Sequence, residues 1–475
     1  MKNKLIAGLT ASLMLIPFIQ IPSAGAINFT LKTPLQSESA ILVNLDCDTV
    51  IHEKNADAKQ MPGPLVNIMT AVVCLEECQD LGAEVTVDED VFSDLYVTDY
   101  PDDLRFAEIL DEDVLTYTDL LYAMMLTSSV EASSTIAYNI GGESIQKFVE
   151  KMNSKAAEIG LKDTNFTNPT GMYDPEQYTT ARDMAVLTQY ALKVPHFEEI
   201  ASTYSYTPVV PNLERHKDRE SWVWFHSNIM MDAENENSYP GCRGVKTANL
   251  ELGGRNIVAT ASKDGNNYLA VCLKAPLSNG EGDPTFSHIN DATTLFNWAF
   301  KNFSYQTVLP ESTELGEIPV SLADGNNYVL ARPKEEVTLL WYDDVDISLI
   351  SRDNITWKTD SLKAPVRKGE SLGTVTLEYS GEQLATVELV AVSDVKRSAS
   401  KYNLYAIKQF PKTDWFAKSL VVAIVLCSIY ILICIYSYVL FKNDQKPVKP
   451  IYAVPKLDKP KKKKRPDNKS ENILN

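Results

Sequence analysis

From Ser419 to Phe441 the chain runs for 23 residues without a charge. As a helix that stretch spans about 34 Å, enough to cross a bilayer core with modest tilt, and Trp415 and Phe416 stand at its outer rim. Whatever folds in water must therefore come from the residues before it. Met1 to Ala26 has Lys2 and Lys4, an apolar stretch from Leu5 to Ile21, and then Ala24-Gly25-Ala26, the form of a secretory signal cleaved after Ala26. Beyond the apolar stretch, the basic block from Lys459 to Pro466 places the C-terminus in the cytoplasm by the positive-inside rule. The expectation is a single-pass membrane protein with its ectodomain outside.

The formal net charge of −18 hides two opposed fields. From Lys442 onward there are eleven Lys and Arg against four Asp and Glu, so the tail is +7 while the rest of the precursor is −25. A strongly acidic folded part beside a basic run that adjoins a membrane argues against nucleic acid as a partner. The tail reads as a stop-transfer signal touching anionic lipid of the cytoplasmic membrane, with a cytoplasmic binding module as the alternative. Five cysteines (Cys47, Cys74, Cys78, Cys242, Cys272) precede the span and Cys427 and Cys434 lie within it. An odd number without regular spacing does not describe a disulfide framework. Cys74 and Cys78, four apart on an expected helix, read as small core residues. With no H-x-x-x-H or H-x-H among the five histidines, neither a metal nor another cofactor is expected.

At 475 residues the chain has room for two domains with real cores. The alternation at Ala40, Leu42 and Asn44 to Leu45 predicts a strand, with Val50-Ile51 in its hairpin partner. Pro64 to Leu81 reads as a helix whose first turn accommodates the proline. Buried helices follow over Leu115 to Ile140, broken by a turn at Thr127-Ser128-Ser129, then amphipathic helices over Ser144 to Ile159 and Ala181 to Lys193. Thr180 with Asp183 three residues on predicts a capping box for the last of these. Arg243 to Thr247, Asn256 to Ser262 and Tyr268 to Leu273 alternate as three adjacent strands, and Asp291 to Phe303 predicts a closing helix. After Tyr305 the pattern changes to short β-rich runs, Thr338 to Trp341, Gly373 to Leu377 and Leu384 to Val390. The predicted organisation is a signal (1–26), an α+β domain (27–304), an all-β domain (305–395), a polar stalk (396–418), the span (419–441) and the tail (442–475).

Three stretches carry a likeness to known chemistry. Lys59 to Ala71 reads K-Q-M-P-G-P-L-V-N-I-M-T-A, Leu126 to Ala132 reads L-T-S-S-V-E-A, and Gly244 to Asn249 reads G-V-K-T-A-N. They resemble, in order, the S-x-x-K, S-G-N and K-T-G signatures of D-alanyl-D-alanine carboxypeptidases, the low-molecular-weight penicillin-binding proteins. Thr164 to Met172 is similar to that family's F-x-N-P-x-G-L segment, Tyr178 to Ala185 to its Y-S-T-A-R-D-M-A, and Leu362 to Gly373 to a run in its C-terminal β domain. The likeness extends over roughly Leu31 to Val395. It implies a β-lactamase-like antiparallel sheet with helices, followed by the small β domain. Three other S-x-x-K spacings, at Ser144/Lys147, Ser393/Lys396 and Ser398/Lys401, read as surface coincidences.

The resemblance also shows what is missing. Pro64 stands where the nucleophilic serine belongs and Asn67 where the lysine would take its proton. Val130 replaces an asparagine that would touch the substrate amide, and Ala248 the last glycine. Ser128 is kept at the proton-relay position, and Lys246 and Thr247 at the positions that hold a substrate carboxylate. An active relative would acylate its serine with the terminal D-Ala-D-Ala of a peptidoglycan stem peptide in the bacterial cell envelope. Loss of a nucleophile costs on the order of a million-fold in turnover where it has been measured. The expectation is a pseudoenzyme that binds stem peptides or a cell-wall enzyme, of unassigned oligomeric state. The alternative is a surviving enzyme in which Ser128 attacks with Lys246 as its base.

Overall fold

The computed structural model describes Phe29, residues 31–93, Leu95, residues 98–208 and residues 222–444. The predicted signal at 1–26 and the tail from 445 lie outside the described residues. The chain forms two compact units, one running to Val320 with Tyr328–Leu362 and Val366–Asp394, the other made of Ser321–Asn327, Lys363–Pro365 and the chain from Val395.

The first part of the larger unit is built on an antiparallel sheet of five strands: β1 (Ser39–Asn44), β2 (Thr49–Lys54), β3 (Cys242–Leu250), β4 (Gly254–Lys263) and β5 (Asn266–Ala275). Their order is β2-β1-β5-β4-β3, so the chain's first hairpin is completed by three strands from about 200 residues later. Alternation divides the side chains between two cores. Ile41, Val43, Leu269 and Val271 pack with the helices α1 (Asn67–Glu77), α2 (Tyr117–Tyr122), α3 (Val130–Ile140), α4 (Ile145–Ile159) and α5 (Ala181–Ala191). Ala40, Leu42, Ala270 and Cys272 pack on the other side with Ile289, Leu295 and Phe296 of α6 (Ser287–Asn302).

The helix expected over Pro64 to Leu81 is shorter and has two parts. Gly63–Val66 is a 3-10 turn with proline in its first positions, and α1 ends at Glu77, after which Cys78 is extended with ψ 122°. Glu76 and Glu77 put two carboxylates at the negative end of the helix dipole, which opposes continuation. Lys155 and Lys151 of α4 pair with them at 2.9 Å each. Cys74 is a buried core residue as expected, whereas Cys78 lies beyond the helix, half-buried, with its thiol 3.3 Å from Asp80 O.

Half of the expected capping box forms. Thr180 Oγ1 accepts the Asp183 N–H at 3.0 Å. The Asp183 carboxylate does not return the bond but accepts from Asp163 N–H (2.8 Å) and Thr164 Oγ1 (2.7 Å), holding the turn before the N-P-T-G segment. A reciprocal box occurs instead at Thr116 and Asp119, opening α2. Ser144 and Ser398, two of the coincidental S-x-x-K serines, are helix caps that accept the N–H of the lysine three residues on.

Beyond α6, strands Ser351–Trp357, Ser371–Tyr379, Glu382–Ala391, Tyr328–Pro333 and Gly316–Ser321 form consecutive neighbours in one antiparallel sheet, and Phe303–Leu309 pairs with Val337–Tyr342. In the smaller unit Asp324 N–H donates to Lys396 O (2.8 Å) and Lys401 Nζ to Ala323 O (2.9 Å). The expected polar stalk is largely helical, with α7 over Ala399–Gln409. Its N-cap is Ser398, and its residues Ala, Lys, Leu and Gln are good helix formers. The final helix, α8 (Asp414–Asp444), contains the uncharged stretch, and an 18-residue window within Asp414–Lys442 reaches a mean hydropathy of 2.7, fitting a membrane anchor by length and composition.

Candidate functional site

Pro64, Ser128, Thr247 and Ala248, four of the residues singled out from sequence, line one cleft of about 160 Å³. The turn carrying Pro64 is held by close backbone approach. Gly171, at φ +85°, lies so near Gly63 that a Cβ would sit 2.2 Å from Gly63 O, which is why the N-P-T-G run needs glycine at its fourth position. A proline at this place offers neither a side-chain hydroxyl nor a backbone N–H to the cleft.

One turn later Asn67 is fully buried and does not line the cleft. Its Nδ2 donates to Ser133 Oγ (3.0 Å) and Pro169 O (3.1 Å), while Oδ1 is buried without a partner. The amide thus acts as a brace between α1, α3 and the N-P-T-G segment. Val130 begins α3 and is buried at 2% exposure. The structure therefore brings Pro64 together with Ser128, Thr247 and Ala248, and leaves Asn67 and Val130 behind the wall.

Ser128 follows a π-helical turn, Ala123–Thr127, and adopts φ +65°, ψ 33°. Positive φ is uncommon for a residue other than glycine. Its neighbourhood is fixed by Glu131, fully buried, whose carboxylate accepts from Ala107 N–H (2.7 Å), Ile109 N–H (3.3 Å) and Ser129 Oγ (2.7 Å). Burial pushes the Glu131 carboxyl above its usual range, and those hydrogen bonds oppose the shift.

Lys246 is 0% exposed. Its Nζ lies 2.9 Å from Met124 O, 2.8 Å from Met125 O and 2.7 Å from Ser128 Oγ. Burial holds the amine well below the ordinary lysine range. The Nζ donates to all three oxygens, the number that the three N–H groups of an ammonium can serve. Beside it Thr247 Oγ1 is 2.9 Å from Ser227 Oγ. Sequence reasoning passed over Ser227, Asn249, Arg255 and His288, which also line the cleft. Arg255 directly follows the Gly253-Gly254 turn, and its place opposite Asn249 is visible only through hairpin register.

Two buried imidazoles flank this region. His226 accepts the Asn228 N–H at Nδ1 (2.9 Å), and burial, aided by Lys246, lowers it to about 3. Burial and then Arg255 lower His288 to about 3. Each ring is uncharged when folded and takes up a proton on unfolding between about pH 3 and 6.5, so stability falls as pH drops through that window. The two together set a slope of up to about 2.7 kcal/mol per pH unit. Denaturant unfolding of the detergent-solubilised protein, followed by tryptophan fluorescence, should show a clearly lower midpoint at pH 5 than at pH 7. Equal midpoints would contradict this assignment.

The D-alanyl-D-alanine carboxypeptidase family profile matches residues 28–277, more than half of the chain, and that of the penicillin-binding protein 5 C-terminal domain matches residues 303–397. The chain is 27% identical over 399 residues to D-alanyl-D-alanine carboxypeptidase DacF of Bacillus subtilis, covering 83% of this chain and 95% of the relative. With DacC of Escherichia coli it is 25% identical over 427 residues, covering 87% and 98%. Among solved structures, penicillin-binding protein 5 from Haemophilus influenzae shares the fold with a TM-score of 0.56 at 22% identity, covering 78% of this chain and 100% of that one.

Proposed function

The chain belongs to the D-alanyl-D-alanine carboxypeptidase family, and from that premise we propose that it is a membrane-anchored, non-catalytic member that binds peptidoglycan stem peptides in the bacterial cell envelope. Pro64 is the observation that carries this reading. It removes the nucleophile and its N–H together, while the hydroxyl-bearing and cationic side chains of the cleft, Thr127, Ser128, Ser227, Thr247, Arg105 and Arg255, remain. With two arginines against one carboxylate, Asp103, the cleft is net positive in an otherwise acidic precursor, which suits an anionic ligand. The uncharged length of α8 and the basic residues after it support an anchored ectodomain with a cytoplasmic tail.

Isothermal titration of the solubilised protein with diacetyl-L-lysyl-D-alanyl-D-alanine should give saturable binding without release of D-alanine. Thr247→Val, which removes a hydroxyl from the cleft wall, should weaken it several-fold. Release of D-alanine at a steady rate would overturn the non-catalytic reading.

A second reading draws on the 2.7 Å contact between Lys246 Nζ and Ser128 Oγ, within proton-transfer reach. Ser128 would then be a relocated nucleophile. Against this stands its 4% exposure at the end of a constrained turn.

A further inference from the structure

A second cavity, of about 370 Å³, lies apart from the cleft and shares no lining residue with it. Its origin can be read along β4. On the side of the sheet that faces the helices Val258 joins the apolar core, but two and four residues on, the same face carries Thr260 and Ser262. Hydroxyls replace aliphatic side chains. The helix that packs on this side, α5, ends at Ala191, and the sheet floor stays open from Asn267 on β5, across Thr260 and Ser262 on β4, to Arg243 on β3. Two strand spacings make that floor about 10 Å wide.

Oppositely charged groups line this cavity without meeting. The turn between β1 and β2 supplies Asp46 and Asp48. Asp46 accepts Asn267 N–H (2.8 Å) and Nδ2 (2.7 Å), and Asp48 accepts Gln189 Nε2 (2.9 Å). Those donors are neutral amides, so among the described residues neither carboxylate has a cation beside it. Just past α5, Lys193 is exposed, and its amine makes no ion pair or hydrogen bond among the described residues. The other cation of the cavity, Arg243, is already held by Glu198 at 3.0 Å. Two carboxylates and an amine that line one cavity without pairing remain available to a guest carrying the opposite charge for each.

We propose that this cavity is a second ligand site, which binds a short peptide with free ends, its amino group at Asp46 and Asp48 and its carboxylate at Lys193. The assignment stands apart from the stem-peptide reading of the cleft. Width and volume set the length. Three extended residues span about 10 Å, and a volume of about 370 Å³ falls within the range of small-ligand pockets. Leu45, Leu192 and Ala261 give the side chains an apolar wall. An inorganic anion would use the lysine alone, and a metal cation the aspartates alone.

The test titrates the detergent-solubilised full-length protein with trialanine, N-acetyl-trialanine and trialanine amide at pH 7 and constant ionic strength, followed by saturation-transfer NMR. Wild type should bind trialanine at least fivefold more tightly than either blocked form. Lys193→Gln should bring trialanine and its amide within twofold of each other and keep the preference over the N-acetyl form. Asp46→Asn combined with Asp48→Asn should do the converse. Because the Lys193 amine has no partner to lose, Lys193→Gln should keep the wild-type thermal midpoint, so its comparison decides the matter even where the aspartate variant fails to fold. Diacetyl-L-lysyl-D-alanyl-D-alanine, which has no free amino group, should leave trialanine bound. Displacement by it would put trialanine in the cleft and overturn the assignment. So would absence of saturable binding to wild type, equal binding of all three probes, or an acid-over-amide preference unchanged in Lys193→Gln.

Discussion

Neither Pro64→Ser nor Asn67→Lys alone should let this protein capture penicillin covalently, whereas the two together should raise capture by orders of magnitude over either. A serine at 64 restores a hydroxyl and a backbone N–H at the cleft, but its nearest helical neighbour, Asn67, cannot accept a proton. A lysine at 67 would lie one turn along, where Ser133 Oγ and Pro169 O now accept hydrogen bonds from Asn67 and would orient an amine. Nucleophile and base act as a unit, so their effects are far from additive. Labelling with a fluorescent penicillin, read on a denaturing gel, separates the cases. Equal labelling of the serine variant and the double variant would show that another group supplies the base.

Removing the Lys246 side chain should cost about 3–5 kcal/mol of stability, a large share of what a domain of this kind possesses. Lys246→Ala opens a cavity between β3 and the turn before Ser128, and strips Met124 O and Met125 O of their shared donor. Buried carbonyls without a partner add to the loss from packing. Lys246→Met keeps most of the volume and loses only the amine, so it should cost about 1–3 kcal/mol less than alanine. Chemical denaturation of the solubilised variants measures both. A near-neutral Lys246→Ala would mean that the amine does not bear on the fold.

Much of the architecture could be read from residue order, because its local signals agree with one another. The alternation at Ala40 and Leu42 marks β1, and the glycine and asparagine turns mark the β3–β5 meander, since strand period and turn chemistry are local properties. The misjudged places depend on distant partners. Asp183 has the spacing of a capping box but finds the backbone N–H of Asp163 and the hydroxyl of Thr164, about twenty residues upstream. The Pro64 helix stops at Glu77, short of Leu81, because the final carboxylates oppose the dipole and lean on lysines of another helix. Residues 396–418 look polar in composition, but most of their order is helical. Within the cleft, Pro64 and Ser128 were legible through motif spacing. Arg255 was not, since only pairing across a hairpin and the approach of α6 bring it beside Asn249 and His288.

The absence of a working nucleophile is tested most directly by intact-mass analysis of the wild-type protein after incubation with penicillin, alongside Ser128→Ala. The expected result is an unchanged mass for both, in samples whose cooperative unfolding shows them folded. A penicilloyl adduct on wild type that disappears with Ser128→Ala would contradict the non-catalytic account and establish Ser128, with Lys246 at its side, as the attacking residue.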